Sequence, residues 1–279
     1  LNTKVQFTKL KPNKPQQVNM IITLLTDFGQ SSYYAAAMKG VILSICPDAK
    51  IVDITHNISP QDIDEAAFVL NQTYSLFPAG TIHTIVVDPG VGTERKPIIV
   101  KTNDYYFVAP DNGVLSYIFQ NSEGAEVYEA DNKNFFRKEI SSTFHGRDIF
   151  APVAAHLASG VNINKIGKVF TDFEKGKTPD VKIRGNQITG SIIYIDRFGN
   201  CITNIPAGLI KNKKISIHIK NLFIDRLSAT FSSVGRNSIL AYIGSSDMLE
   251  IGINSGSAAK NLKIVKGTKV IIQIMEKAD

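Results

Sequence analysis

Tryptophan is absent from this 279-residue chain, and cysteine occurs only as Cys46 and Cys201. Two thiols so far apart, in unlike contexts, give neither a disulfide framework nor zinc-ligand spacing. They predict buried free thiols, which fits a reducing, cytoplasmic compartment. No apolar run approaches the roughly 20 residues of a membrane helix, so no membrane partner is predicted. The net charge is +6, yet no basic helix and no aromatic-plus-basic motif accompanies it, which argues against a nucleic-acid partner. The lysines gather instead in the first residues (Lys4, Lys9, Lys11, Lys14) and in one turn (Lys211, Lys213, Lys214), which implies a modest attraction for anionic ligands. The histidines show neither H-x-x-x-H nor H-E-x-x-H spacing, so no metal site is predicted.

What is present is enough apolar sequence for a substantial core: 43% hydrophobic against 20% charged residues. Residues 1–19 read as a polar extension rich in Lys and Pro, ahead of Met20 and the first strong strand. A chain that starts at Leu1 is expected to be cut from something longer or to have lost a leader, an export signal included. Strand signals at 20–26, 50–55 and 81–87 alternate with helix signals at 33–46 and 59–77, the latter with Ser59 as N-cap, Pro60 in the first turn and Asp62 at the capping-box position. A hairpin at 97–102 and 105–110 and helices at 112–120 and 146–160 follow. This predicts an α/β domain over residues 20–178 with a largely parallel sheet flanked by helices. After a polar joint, "FEKGKTPD" (173–180), the helices disappear, and residues 179–279 predict a smaller, all-β, barrel-like domain.

Several strand ends carry chemistry-bearing residues. "TDFG" (26–29) puts Asp27 at a strand's carboxyl end, where α/β sheets bind ligands and where a carboxylate matches ribose hydroxyls; a turn aspartate is the plainer alternative. "DPGVGTER" (88–95) follows the next strand and carries Asp88 and Arg95 on a loop punctuated by glycine. "FHGRDIFAP" (144–152) places His145 on a loop just before a helix, with Arg147 and Asp148 suited to an ion pair or a cap. His56 in "ITHNISP" is either a second site residue or an ordinary turn histidine. "YIDRFGNCITNI" (194–205) gathers Asp196, Phe198 and Asn200 at a hairpin tip, where an aromatic face and an amide could serve a purine.

From about Ile21 to the C-terminus the chain resembles the S-adenosylmethionine (SAM) hydroxide adenosyltransferase family, SAM hydrolases related to the fluorinating and chlorinating SAM halogenases. The resemblance rests on "TDFG", "MKGVI", "DITHNISPQDIDEAAFVL", "VVDPGVGTER", "APDNGVLS", "FHGRDIFAPVAAHLA", "DRFGNCITNI" and "LEIGINSGSAA", all in order. It implies an α/β domain followed by a β-barrel-like domain, and a homotrimer with SAM held between subunits. It also implies an Asp-Arg-His set that handles water, here Asp88, Arg95 and His145. Asp27 would hold the ribose hydroxyls, Phe198 and Asn200 the adenine, Asp196 the methionine ammonium, and Ser245 and Ser246 the methionine end. Gly146 stands where the fluorinase has a halide-binding serine. Ser32 stands where many members are acidic, and Gln61 replaces an aromatic residue in the ribose wall.

The resemblance therefore predicts hydrolysis of SAM to adenosine and L-methionine, with SAM as substrate and no cofactor or metal. A carboxylate and an imidazole can orient water and take its proton. Arg95 beside Asp88 would keep the carboxylate ionised. Two other classes compete: a SAM- or adenosine-binding protein without turnover, and a halide-using adenosyl transferase.

Overall fold

A computed structural model describes residues 20–275. The polar extension at 1–19, with its four lysines, lies outside the described residues. The first half of the chain builds a 7-stranded sheet from β1 (Ile21–Thr26), β2 (Lys50–Thr55), β3 (Ile82–Val86), β4 (Pro97–Lys101), β5 (Tyr106–Pro110), β6 (Glu126–Glu129) and β7 (Lys168–Val169). Their order is β2-β1-β3-β5-β4-β6-β7. β2, β1, β3 and β5 are parallel, whereas the β5–β4, β4–β6 and β6–β7 pairs are antiparallel. The antiparallel edge comes from the hairpin at Asn103-Asp104, which returns β5 beside β4.

β3 is buried along its whole length, as a central strand covered on both faces requires. One face is covered by α1 (Tyr34–Ile45), whose Met38 and Ile42 join a core with the helix that follows residue 150. The other face is covered by α2 (Ile63–Thr73), through Ala66 and Leu70, and by α3 (Ser116–Asn121), through Ile118. β1 leads through α1 to β2 on one side, and β2 leads through α2 to β3 on the other. The strand order thus reverses between β1 and β3, the point where open α/β sheets bind ligands beyond the strands' carboxyl ends.

Three helix starts differ from expectation: α3 begins at Ser116 and not at 112, and the other two have visible causes. Ser59 is not the N-cap of α2. Asp62 is, its carboxylate accepting from Glu65 N at 2.9 Å. Gln61 takes a left-handed φ of 64°, and its N–H is bound by Asp27 Oδ2 at 2.8 Å, so the chain stays a turn until Asp62. The helix expected over 146–160 opens with a π-helical turn, Gly146–Phe150, before α4 (Ala151–Ala158). Pro152 has no N–H to give the Asp148 carbonyl, and Arg137 N takes that carbonyl instead at 2.9 Å.

The second half forms an 8-stranded antiparallel sheet: β8 (Lys182–Arg184), β9 (Gln187–Ile195), β10 (Cys201–Pro206), β11 (Ile215–Ile219), β12 (Leu222–Ile224), β13 (Ile239–Ile243), β14 (Met248–Ile253) and β15 (Lys269–Ile274). The order is β12-β11-β15-β9-β10-β14-β13, with β8 on β9. Just past β12, Leu227 bridges to Ala241 of β13 and nearly closes the sheet into a barrel. Its interior is isoleucine-rich, as alternating strands with one face inward require. Phe68 and Val69 of α2 pack with Ile193, Tyr194 and Ile202 and join the two sheets. Cys46 and Cys201 are buried and unpaired. Among the described residues no helix is long and apolar enough to cross a membrane.

Candidate active site

Thr26 pairs with Val86 in the parallel β1–β3 ladder. Asp27 and Asp88 therefore leave the same edge of the sheet from adjacent strands, at the reversal point. Asn112 pins that edge, donating from Nδ2 to Val87 O at 3.0 Å.

The loop after Asp88 turns back sharply. Gly92 has a φ of 79°, and a Cβ there would stand 2.5 Å from Ser142 O. Only glycine permits both the conformation and the approach. The turn returns Arg95 to Asp88, where Nε lies 2.9 Å from Oδ1 and 3.0 Å from Oδ2, and the terminal nitrogen NH2 also donates to Oδ2. The same NH2 reaches His145 Nδ1 at 2.8 Å. The Asp88 and Arg95 side chains are only 5% and 9% exposed, so water screens the pair weakly. Phe150 lies under the guanidinium, 5.1 Å from Arg95 Cζ to the ring centroid.

This bond fixes the imidazole's tautomer. A guanidinium only donates, so Nδ1 accepts and the neutral ring carries its proton on Nε2. Burial first, then the Arg95 charge, hold the His145 pKa below its ordinary value. His145 is therefore neutral at neutral pH and presents an N–H.

The π turn after His145 is anchored by Asp148, which is fully buried and bound by Arg147 Nε at 2.6 Å, Ser141 N at 2.8 Å and Arg137 at 3.2 Å. Burial raises its carboxyl pKa, but these donors outweigh burial and lower it. Arg147 and Asp148 thus form the ion pair that the sequence allowed. His56 is 3% exposed, with Nδ1 at 2.9 Å from Thr26 Oγ1 and Nε2 at 3.1 Å from Asp53 Oδ1. Its carbonyl accepts from Gly29 N at 2.7 Å, so it braces the Asp27 loop. Ser32 donates to Phe28 O.

The remaining predicted residues lie on the second sheet. Asp196 binds its own hairpin tip: Oδ1 accepts from Phe198 N at 2.9 Å and Asn200 N at 2.8 Å, and Oδ2 from Asn200 Nδ2 at 2.8 Å. Phe198 is 76% exposed and Asn200 buried. The two line a pocket of about 490 Å³ with Phe231, Ile253, Asn254, Ser255 and Gly256. Asp196, Ser245 and Ser246 line a second pocket, of about 500 Å³, with Phe68, Tyr194 and Glu250. Among the described residues no hydrogen bond or ion pair connects either pocket to the Asp88–Arg95–His145 group.

Asn112, Phe231 and Glu250 had no predicted role. Asn112 and Glu250 fall inside quoted motifs; Glu250 is buried on the face of β14 opposite the barrel-interior residues Leu249, Ile251 and Ile253, where alternation leads one to expect solvent. Phe231 lies in a short 3-10 turn that periodicity does not mark.

Residues 22–167 match the SAM hydroxide adenosyltransferase N-terminal domain, and residues 190–271 match the C-terminal domain of the same family. The chain belongs to the SAM hydroxide adenosyltransferase family. It is 35% identical over 257 residues to an (R)-S-adenosyl-L-methionine hydrolase of Methanocaldococcus jannaschii, covering 88% of this chain and 92% of that relative. A fluorinase of Nocardia brasiliensis is 28% identical over 291 residues, covering 91% and 97%. The crystal structure of an uncharacterized conserved protein from Thermotoga maritima superposes with a TM-score of 0.84 at 37% identity, covering 90% of this chain and 99% of that one. The SAM hydroxide adenosyltransferase match thus spans both sheets.

Proposed function

We propose that this protein hydrolyses SAM to adenosine and L-methionine, with water attacking C5′ and the sulfonium leaving. The observation that carries the reading is the hydrogen-bonded run Asp88–Arg95–His145 at the ligand-binding edge of a chain from this family. A positively charged sulfur leaves readily, so the reaction needs no metal to activate it. Its difficulty is the nucleophile, since bulk water has a pKa near 15.7.

The geometry suggests a division of labour. His145 Nε2–H donates to one lone pair of the water and turns another toward C5′. Asp88 accepts a water proton as the C–O bond forms, and Arg95 keeps both partners in place. Asp27 holds the ribose through the carboxylate oxygen that Gln61 N leaves free. Phe198 and Phe231 flank the adenine, and Asn200, its Nδ2 given to Asp196, offers Oδ1 to the exocyclic amine. Asp196, Ser245 and Ser246 take the methionine end.

No hydrogen bond or ion pair among the described residues links these pockets to the Asp88 group, and in keeping with the family resemblance we assign the complete site to the junction between subunits of a homotrimer. The relative's name specifies the R configuration, and we extend that preference to this chain. Two buried free thiols fit a cytoplasmic setting. Incubation with SAM alone, with chelator present, tests the reading: adenosine and methionine should form in equal amounts. Binding without turnover, or product only with added halide, would replace it.

A further inference from the structure

His56 lies outside the Asp88–Arg95–His145 run, yet its ring is buried and holds polar partners on two sides. On the outer side Nε2 stands 3.1 Å from Asp53 Oδ1, an electrostatic approach and not an aligned hydrogen bond. Asp53, on β2, is itself held by Lys39 of α1, whose Nζ donates to Oδ2 at 2.6 Å. Burial alone would raise the Asp53 carboxyl pKa, but the Lys39 and His56 contacts outweigh it and hold it below its ordinary value. A carboxylate beside Nε2 requires the ring proton on that nitrogen, since a bare lone pair would face a negative oxygen. In the neutral ring Nδ1 is then the acceptor.

On the inner side that acceptor lies 2.9 Å from Thr26 Oγ1. Thr26 is the last residue of β1 and is fully buried. With its hydroxyl proton given to His56, its oxygen accepts from Phe28 N at 3.3 Å. Three further bonds join the 26–29 loop to the 56–61 loop: Gly29 N to His56 O at 2.7 Å, Ile58 N to Thr26 O at 3.4 Å, and Gln61 N to Asp27 Oδ2 at 2.8 Å. Asp27 thus sits between two residues, Thr26 and Phe28, that one hydroxyl clamps together. An ordinary turn histidine would need no such enclosed relay.

We propose that His56 is a positioning residue: through the Thr26 hydroxyl it fixes the backbone on both sides of Asp27 and so aims that carboxylate at the ribose hydroxyls, with Asp53 setting the tautomer. The proposal rests on the reading that Asp27 holds the ribose. His56 acts through Asp27 and not on the reacting atoms. The ribose hydroxyls are unchanged by the reaction, so the contribution is to binding and not to the chemical step.

The test compares adenosine with 2′,3′-dideoxyadenosine, which lacks both hydroxyls that Asp27 would hold. His56→Leu removes both ring nitrogens, whereas His56→Asn keeps an acceptor near the Nδ1 position. His56→Leu should raise the Kd for adenosine about tenfold, as for a weakened hydrogen bond to a charged group, and that for dideoxyadenosine by no more than about twofold. His56→Asn should recover part of the loss. With SAM, KM should rise by more than kcat falls. In an Asp27→Ala background His56→Leu should add little, because both variants act on one contact. Thr26→Val removes the hydroxyl and keeps the branched side chain. It should show the same selectivity, and it carries the test should His56→Leu fail to fold. Equal weakening of both nucleosides, or a loss that adds in full to that of Asp27→Ala, would make His56 a structural residue and overturn the proposal. If Asp27→Ala left the preference for adenosine unchanged, the ribose reading would fall and the proposal with it. If Asp27→Ala abolished that preference while His56→Leu and Thr26→Val kept it, the proposal alone would fall.

Discussion

Arg95 donates to Asp88 and His145 at once, so the three side chains form one unit and should fail as one. Asp88→Ala and His145→Ala are each expected to lower kcat by about 10²–10⁴-fold. The double variant should be little worse than the poorer single. Asp27→Ala should raise KM first, because the ribose is present in ground and transition states alike. Steady-state kinetics with SAM separate the two patterns. His145→Gln, which restores an N–H, should retain more activity than His145→Ala if the ring acts as a donor. The pH profile gives a second check. With its pKa lowered by burial and by Arg95, His145 stays neutral as pH falls past the ordinary value of 6.5. The acid limb of kcat/KM should thus lie below 6.5; a limb at or above it would contradict the lowered His145 pKa. At this scale Asp27 and Asp88 stand out in the sequence because each closely follows an apolar strand, His145 because it precedes a helix, and Arg95 because a glycine-punctuated loop carries it; their roles are the proposal that the variants test. Phe231 and Glu250 do not, since strands and turns distant in sequence bring each to its pocket.

At the scale of elements, the longer strands and most helices follow from apolar periodicity, whereas β6, β7, β8 and β12 are too short to show it and two helix starts are shifted by local causes. Asp27 captures the Gln61 N–H and delays α2 until Asp62, and Pro152 opens the helix after His145 into a π turn. The Asp27–Gln61 bond joins residues too far apart in sequence to be read from spacing. Asp62→Ala removes a true N-cap and should cost about 1 kcal/mol in chemical denaturation; Ser59→Ala should cost less. β3 contains a sharper signal. His83 is fully buried, bonded to Thr23 at 2.8 Å and stacked on Phe107 at 5.2 Å. Burial pushes its imidazole down to about 3 from 6.5. The unfolded chain therefore takes up a proton first, and the contribution present above pH 6.5 is lost as pH falls from there toward 3. The loss should approach about 1.4 kcal/mol per pH unit in that window. Denaturation midpoints at several pH values measure the slope, and His83→Phe should flatten it.

At the scale of the molecule, the two sheets and the barrel-like closure were readable from the change in pattern near residue 180. The antiparallel edge of the first sheet was less so, because a hairpin signal does not say which side of a sheet it joins. The proposed trimer makes its own prediction. If a neighbour's hairpin tip covers the Asp88 edge, light scattering should report a trimer, and Phe198→Ala on the exposed tip should weaken SAM binding. A monomer binding SAM at full affinity would contradict that arrangement. The central claim is that water forms the new bond at C5′, and turnover of SAM in H₂¹⁸O tests it most directly. The account predicts ¹⁸O in the 5′-hydroxyl of adenosine and none in methionine. Adenosine without the label, or a product carrying no hydroxyl at C5′, would contradict it.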